Sequence, residues 1–457
     1  LLLELYGSIR ATPKSERKRD SMKLEIGKFF VKDIVFGDET TYNNGILTIN
    51  KEEALQVVME DSHMTEADLH IVRPGDEVRL VPVKDAFEMR CKVSGSEGVY
   101  PGCTSPVAPV GFGRTHALAG CSLLVVGKHW GSFQDGLIDM SGPAQRNTIY
   151  GLMPNLVLVG DTDEEFERRE QQKKNKALRW AGMRLSAYVG RCVKDMTPES
   201  IETWDLEPVN RRTSEVQQLP SVVYVAQPQT QMEAMGYNTL VYGWDGNHML
   251  PTFMHPNEIL DGAVVSGSFM PVSSKISTYE WVNNPTVKRL MKEHGKTINF
   301  LGVIMSNLNV VMEEKIRSAN MVARMALNLG ADGAIVAEEG YGNPDVDYIQ
   351  TIVELENVGI KTVGLSNECT GRDGASQPLV ALDEKATALV SSGNVSQIHE
   401  LPPMKTVLGE LESLARDGLS GGWEGCVRED GSIIMENNAM FCADHISGFS
   451  VKTCADF

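Results

Sequence analysis

The sequence predicts an α/β protein: a strand-rich N-terminal domain followed by a doubly wound, mostly parallel α/β domain. Three observations carry that reading. Residues 22–160 break short apolar runs with Gly, Pro, Asn and Asp turn signals. From about Val222 the grammar changes to strand–helix–strand, and two successive helical stretches end on glycine before a β-rich run. At 457 residues the chain is too long for one small core and divides into two or three domains.

Taken in order, residues 1–21 are an extension or cloning remnant, because a basic cluster follows their short apolar patch and Met22 looks like a natural start. The domain over 22–160 has strand candidates at Phe29–Val35, Ile46–Ile49, Val78–Val83, Leu123–Val126 and Leu156–Val159. Residues 161–220 form a charged helix and a connector. Asp161 or Thr162 is placed to cap the helix, which runs to about Cys192. Its first half is nearly all polar, and its second half offers Leu178, Met183, Leu185 and Val189 for packing.

The doubly wound domain spans 221–425. Its strand candidates are Val222–Ala226, Phe300–Met305, Ala334–Ala337, Lys361–Leu365 and Ala386–Val390. Between them, Met312–Leu329 puts Met312, Ile316, Val322, Met325 and Leu329 near one helical face, with Gly330 as the cap. The helix at Asp347–Val358 ends on Gly359. Residues 426–457 read as a looser C-terminal appendix.

Hydrophobic residues make up 42% and charged residues 23%, an ordinary globular balance. A formal charge of −18 leaves no basic footprint for nucleic acid. No apolar run reaches the ~18 residues that span a bilayer. Eight cysteines are scattered with no CxxC or zinc-type spacing, so no metal is expected and reduced cytoplasmic thiols are.

In an open parallel sheet, ligands sit beyond the carboxyl ends of the strands. Those positions hold Ser306 and Asn307, then Glu338, Glu339 and Asn343, then Glu368 and Cys369. If they converge, they form a polar, acid-rich crevice with one thiol. Its adjacent carboxylates could pair with a substrate ammonium, although such residues also cluster in solvated loops. Gly111, Gly113 and Arg114 could cradle an anion, with a tight turn as the plainer alternative. His116 and His129 have no metal spacing. Gly418-Leu419-Ser420-Gly421-Gly422 matches GxSxG but follows a helix-like stretch, so it is no nucleophile elbow.

Several blocks carry a resemblance. They are MKLEIGKFFVKDIVFGDET, YPGCTSPV, GRTHALAG, GLIDMSGP, LPTFMHPNEILDGAVVSG, NNPTVKRLMKEHGK and EEGYGNPDVD. Together they resemble the component B proproteins (alpha and beta subunits) of the glycine, sarcosine and betaine reductases, a family related to the D-proline reductase proprotein. The resemblance implies an oxidoreductase subunit that binds a small amine or amino acid for reductive C–N cleavage. It implies a selenoprotein partner, a homo- or hetero-oligomer, and a pyruvoyl group made by self-cleavage at a cysteine. By the same resemblance, the cysteine position after Ser266-Gly267 reads as Phe269, which has no nucleophile and no β leaving group.

Three readings follow. The chain stays unprocessed, with no cofactor expected, and acts as an altered reductase or binding subunit. Alternatively, Ser268 takes over and cleavage at Gly267-Ser268 yields the pyruvoyl group, with Ser273-Ser274 as a further candidate pair. Or the chain is a non-enzymatic small-molecule binder. The candidate catalytic residues are Ser268 and Cys369.

Overall fold

The structure is a computed structural model describing residues 22–128, 136–163, 171–231, 238–268, 270–416 and 421–449. The expectations for Phe269, His129, Gly418–Ser420, residues 1–21 and the polar half of the charged helix up to Glu170 lie outside the described residues.

The N-terminal domain is built on two larger sheets. One has the order Ser200–Trp204, Leu24–Phe30, Gly113–Ala119, Arg90–Ser94. The other runs Gly136–Asp139, Val78–Phe87, Ser122–Gly127, Asn155–Thr162, Met64–Val72. A small third sheet contains the hairpin Thr41–Asn43 and Ile46–Ile49. Its turn is Asn44-Gly45, with φ of 50° and 90°, a backbone that Asn and Gly adopt most easily. The helix Gln171–Gly190 packs Leu178, Met183, Leu185 and Val189, all fully buried, against Phe87, Leu123, Val125, Leu156 and Leu158. Asp161 and Thr162 do not cap it. They end the strand Asn155–Thr162, because pairing with Met64–Val72 carries the strand past its apolar run.

The second domain is a parallel sheet. Its strands, in chain order, are Ser221–Gln227, Asn299–Met305, Gly333–Glu338, Lys361–Glu368 and Leu389–Asn394, and their spatial order is 2-1-3-4-5. Thr252–Met254 adds an antiparallel edge. The helices Met312–Leu329 and Asn343–Asn357 pack side by side on one face, against Val223, Val225, Leu301, Ala334 and Val336. On the other face Tyr224, Ala226, Phe300, Val303 and Met305 meet Ile259, Leu260, Trp281, Val287 and Leu290. The sheet is therefore doubly wound. Crossovers are right-handed, so the reversal of direction after the second strand moves the next helices to the opposite face. Gly330, at φ 77°, caps the first of these helices in the left-handed conformation.

Two boundaries expected from sequence do not divide the structure. Thr406–Gly409, inside the expected 221–425 segment, pairs in parallel with Val78–Phe87 of the N-terminal domain. The expected appendix is built into the core. Ile433–Glu436 pairs with Ile398–Leu401, and Phe441, Cys442, Ala443 and Asp444 are buried. The last strand also begins later than expected, at Leu389.

A candidate ligand site at the switch point of the sheet

In a 2-1-3-4-5 sheet the first and third strands lead to helices on opposite faces, and a crevice opens at their carboxyl ends. Here those ends are Gln227 and Glu338, followed by Glu339. Glu339 Oε1 accepts from the Ile276 N–H at 2.6 Å, and Oε2 accepts from the Gln229 N–H at 2.9 Å. Burial pushes its pKa up, although both backbone bonds favour the carboxylate. Glu338 accepts from Ser366 Oγ at 2.6 Å. Burial first, and then nearby Asp345, hold its carboxyl well above the ordinary range.

Both glutamates are fully buried, and they do not act as one pair. Successive strand residues point to opposite faces. Glu338 turns towards Ser366 and Asp345, whereas Glu339 turns towards the loop ending at Ile276. The acid-rich crevice expected from sequence is thus two separate polar environments.

Ser306 is buried with its N–H on the Ala226 carbonyl, and Asn307 donates to Asn309 Oδ1 at 2.9 Å. Asn307 also lines a small cavity of about 10 Å³ with Thr230, Thr239, Val241, Met249 and Met305. That volume holds about one water. Asn343 belongs to the Glu338 side, accepting from Lys315 Nζ and Gln231 Nε2, each at 2.7 Å. Glu368 stands further out, bonded to Ser391 Oγ at 2.6 Å. Cys369 is half-buried, and burial raises its thiol pKa, the opposite of activation.

The Gly111–Arg114 run lies elsewhere. The Gly111 N–H donates to Asp261 Oδ2 at 2.8 Å, and Arg114 Nη2 reaches Glu25 Oε2 at 2.6 Å. Gly113 opens the strand Gly113–Ala119. Its donors already face carboxylates of the chain itself.

Sequence reading missed the groups that surround the 266–276 loop. Lys275 Nζ donates to the carbonyls of Gly267 and Lys84, each at 2.8 Å, and stands 3.9 Å from Asp85 Oδ1. Asp85 accepts from Thr278 Oγ1 at 2.8 Å and Thr278 N at 3.1 Å. Arg179 Nη1 reaches Ser268 Oγ at 3.3 Å. One signal was available: Lys84-Asp85 puts two adjacent charges between the apolar runs Leu80–Val83 and Ala86-Phe87 of a buried strand.

Beyond Lys275, Ser273 Oγ donates to Asp444 Oδ2 at 2.7 Å and Ser274 Oγ to the same oxygen at 3.2 Å. Asn367 Nδ2 donates to Ser274 Oγ and Asp444. The N–H groups of Cys442 and Asp444 point at the carbonyls of Val272 and Ser273, each at 2.9 Å. Cys442 and His445 hold this turn at φ 57° and 54°, strained for non-glycine residues.

The arrangement gathers buried cations, carboxylates and hydroxyls between a parallel sheet and a strand-rich domain. Among the described residues no group of three His, Cys, Asp or Glu side chains could hold a metal ion. None of the described helices is long and apolar enough to cross a membrane.

The fold is of the α/β class, with its polar buried groups gathered at the switch point of the sheet. The chain belongs to the glycine/sarcosine/betaine reductase component B subunits, whose family model matches residues 22–455. It is 65% identical to the betaine reductase complex component B subunit alpha of Peptoclostridium acidaminophilum, over 95% of this chain and all of that protein. It is 40% identical to the glycine reductase complex component B subunits alpha and beta of Acetoanaerobium sticklandii, over 95% of this chain and all of that one. It is 38% identical to the sarcosine reductase complex component B subunit alpha of Peptoclostridium acidaminophilum, over 94% of this chain and 99% of that one. No solved structure matches.

Proposed function

We propose that this chain is a betaine-type component B subunit that works as an intact polypeptide in the cytoplasm. It binds a small zwitterionic amine and presents it for reductive C–N cleavage to a selenoprotein partner, which attacks the α-carbon and releases the amine. The observation that carries the reading is the 65% identity to the betaine subunit over full length, against 40% and 38% for the glycine and sarcosine proteins.

The chemistry agrees. A betaine nitrogen carries four carbon substituents and no lone pair, so it cannot condense with a ketone carbonyl. A subunit without a pyruvoyl group loses nothing on such a substrate. Phe269, at the position where the family resemblance expects a cysteine, supplies no nucleophile. The glycine relative bears the name of two subunits on one chain, whereas the betaine relative is a single subunit alpha. The described residues of the 266–276 loop are buried throughout, as suits an uncut segment.

A second reading is favoured by one observation, the Ser273–Asp444 bond. A carboxylate on the hydroxyl and an N–H on the preceding carbonyl are what an N→O acyl shift at Ser273 would use. At Ser268 the hydroxyl accepts instead from Arg179 Nη1, at 3.3 Å. Denaturing mass spectrometry separates the readings. One full-length mass supports the intact subunit, and fragments meeting at Val272-Ser273 or Gly267-Ser268 would replace it with a processed one. Amine release from betaine, sarcosine and glycine, with a selenoprotein partner and a dithiol, then tests the substrate. Stabilisation by betaine without turnover would mean a binder.

A further inference from the structure

We propose that Arg179 anchors the carboxylate of the substrate and so determines specificity for zwitterions over simple cations. The proposal deepens the betaine-type reading and rests on it for the identity of the ligand. Arg179 lies on the helix Gln171–Gly190 and is 1% exposed. Its Nε reaches Asp85 Oδ2 in an ion pair and its Nη1 reaches Ser268 Oγ, each at 3.3 Å, at the long end of hydrogen bonding. Nη2 is buried with no hydrogen-bond partner among the described residues. A guanidinium offers five donors in a planar fork, and burying one unpaired is costly.

The neighbouring groups are already engaged. Asp85 takes the Thr278 N–H and hydroxyl and the Ala86 N–H on its two oxygens. Lys275 spends its ammonium on two carbonyls at 2.8 Å and on Asp85 at 3.9 Å. Of these two cations, Arg179 is the one with donors to spare. A carboxylate accepting from Nη1 and Nη2 together would satisfy the orphaned nitrogen and replace the long Ser268 contact.

The position fits a substrate site. Ser268 follows Gly267, whose N–H donates to Thr239 Oγ1 at 3.3 Å. Thr239 Oγ1 in turn donates to Glu339 Oε2 at 3.5 Å, at the carboxyl end of the third strand. Arg179 thus reaches from the N-terminal domain to the switch point of the second, and domain junctions are where small-molecule sites gather.

Ligands that each lack one charge test the proposal. Thermal stabilisation of the full chain is measured with betaine, with 3,3-dimethylbutyrate (the carboxylate without the cation) and with choline (the cation without the carboxylate). Betaine and 3,3-dimethylbutyrate are expected to stabilise, and choline is not. Arg179→Lys keeps a charge but loses the fork, and is expected to raise the Kd for betaine about 10- to 100-fold. Arg179→Met, if it folds, abolishes the response. Choline stabilising as well as betaine, no response to any carboxylate, or an unchanged betaine Kd in Arg179→Lys would each overturn the anchor. If glycine or sarcosine, but not betaine, stabilises in an Arg179-dependent way, the anchor stands and the betaine assignment falls.

Discussion

Ser273 Oγ donates to Asp444 Oδ2 at 2.7 Å, a bond that joins residues 171 positions apart. It fastens the C-terminal segment onto the loop that crosses the mouth of the sheet. Asn437 Nδ2 holds the other carboxylate oxygen at 2.7 Å.

Removing that carboxylate should be costly. Asp444→Ala strips acceptors from Ser273, Ser274, Asn367 and Asn437, all within the core. Buried donors left unpaired cost about 1–3 kcal/mol each before relaxation. We expect urea denaturation to show a loss of at least about 3 kcal/mol. A loss below about 1 kcal/mol would mean that the C-terminal segment is not fastened here.

Stability should fall between mildly acidic and mildly alkaline pH. Burial pushes the Glu280 carboxyl up to about 8, and Glu339 shifts in the same direction. A carboxyl whose pKa is higher in the folded state binds more protons there than when unfolded. Its stabilisation is therefore complete below the unfolded value and is lost as pH rises through the folded one. Each such group contributes a slope of at most about 1.4 kcal/mol per pH unit. Urea titrations from pH 5 to 9 should show this decline, and Glu280→Gln should flatten it. An unchanged slope in that variant would remove Glu280 as its source.

The two crevice glutamates should behave differently. Burial and nearby Asp345 push the Glu338 carboxyl towards its neutral form, which Gln resembles, so Glu338→Gln should shift stability by less than about 1 kcal/mol. Glu339→Ala leaves the Gln229 and Ile276 N–H groups unpaired and should cost about 2–4 kcal/mol. Equal losses in thermal melts of the two variants would contradict their opposite-facing placement.

Gly190, at the end of the helix that carries Arg179, lies against the Arg90 backbone. An added Cβ would meet the Arg90 carbonyl atoms at 2.4 Å. Gly190→Ala should destabilise by several kcal/mol, because backbone cannot move aside as a flexible side chain can. A near-wild-type melting temperature would show that this helix end is not seated on the Arg90–Ser94 strand.

Much of the fold is legible from local pattern. The helices ending near Gly330 and Gly359 and the packing of Leu178 to Val189 follow from periodicity and capping, which neighbouring residues determine alone. The strands of the second domain, and its doubly wound character, follow from the order of those elements. The family blocks name the relatives.

The site was legible only in part. Glu338 and Glu339 are neighbours in sequence, yet strand alternation sends them to opposite sides. Asp85, Arg179 and Lys275 meet across three distant segments, and no local spacing connects them. Thr406–Gly409 looks like connector until it finds Val78–Phe87 as a partner. Sequence alone therefore determined the helices and parallel strands of the second domain, the family and the residue types available at each position. The tertiary structure decided which charges face each other, because burial and long-range pairing exist only once the chain has closed around them. It is that closure which brings Ser273 to Asp444 and leaves Arg179 Nη2 with no hydrogen-bond partner among the described residues.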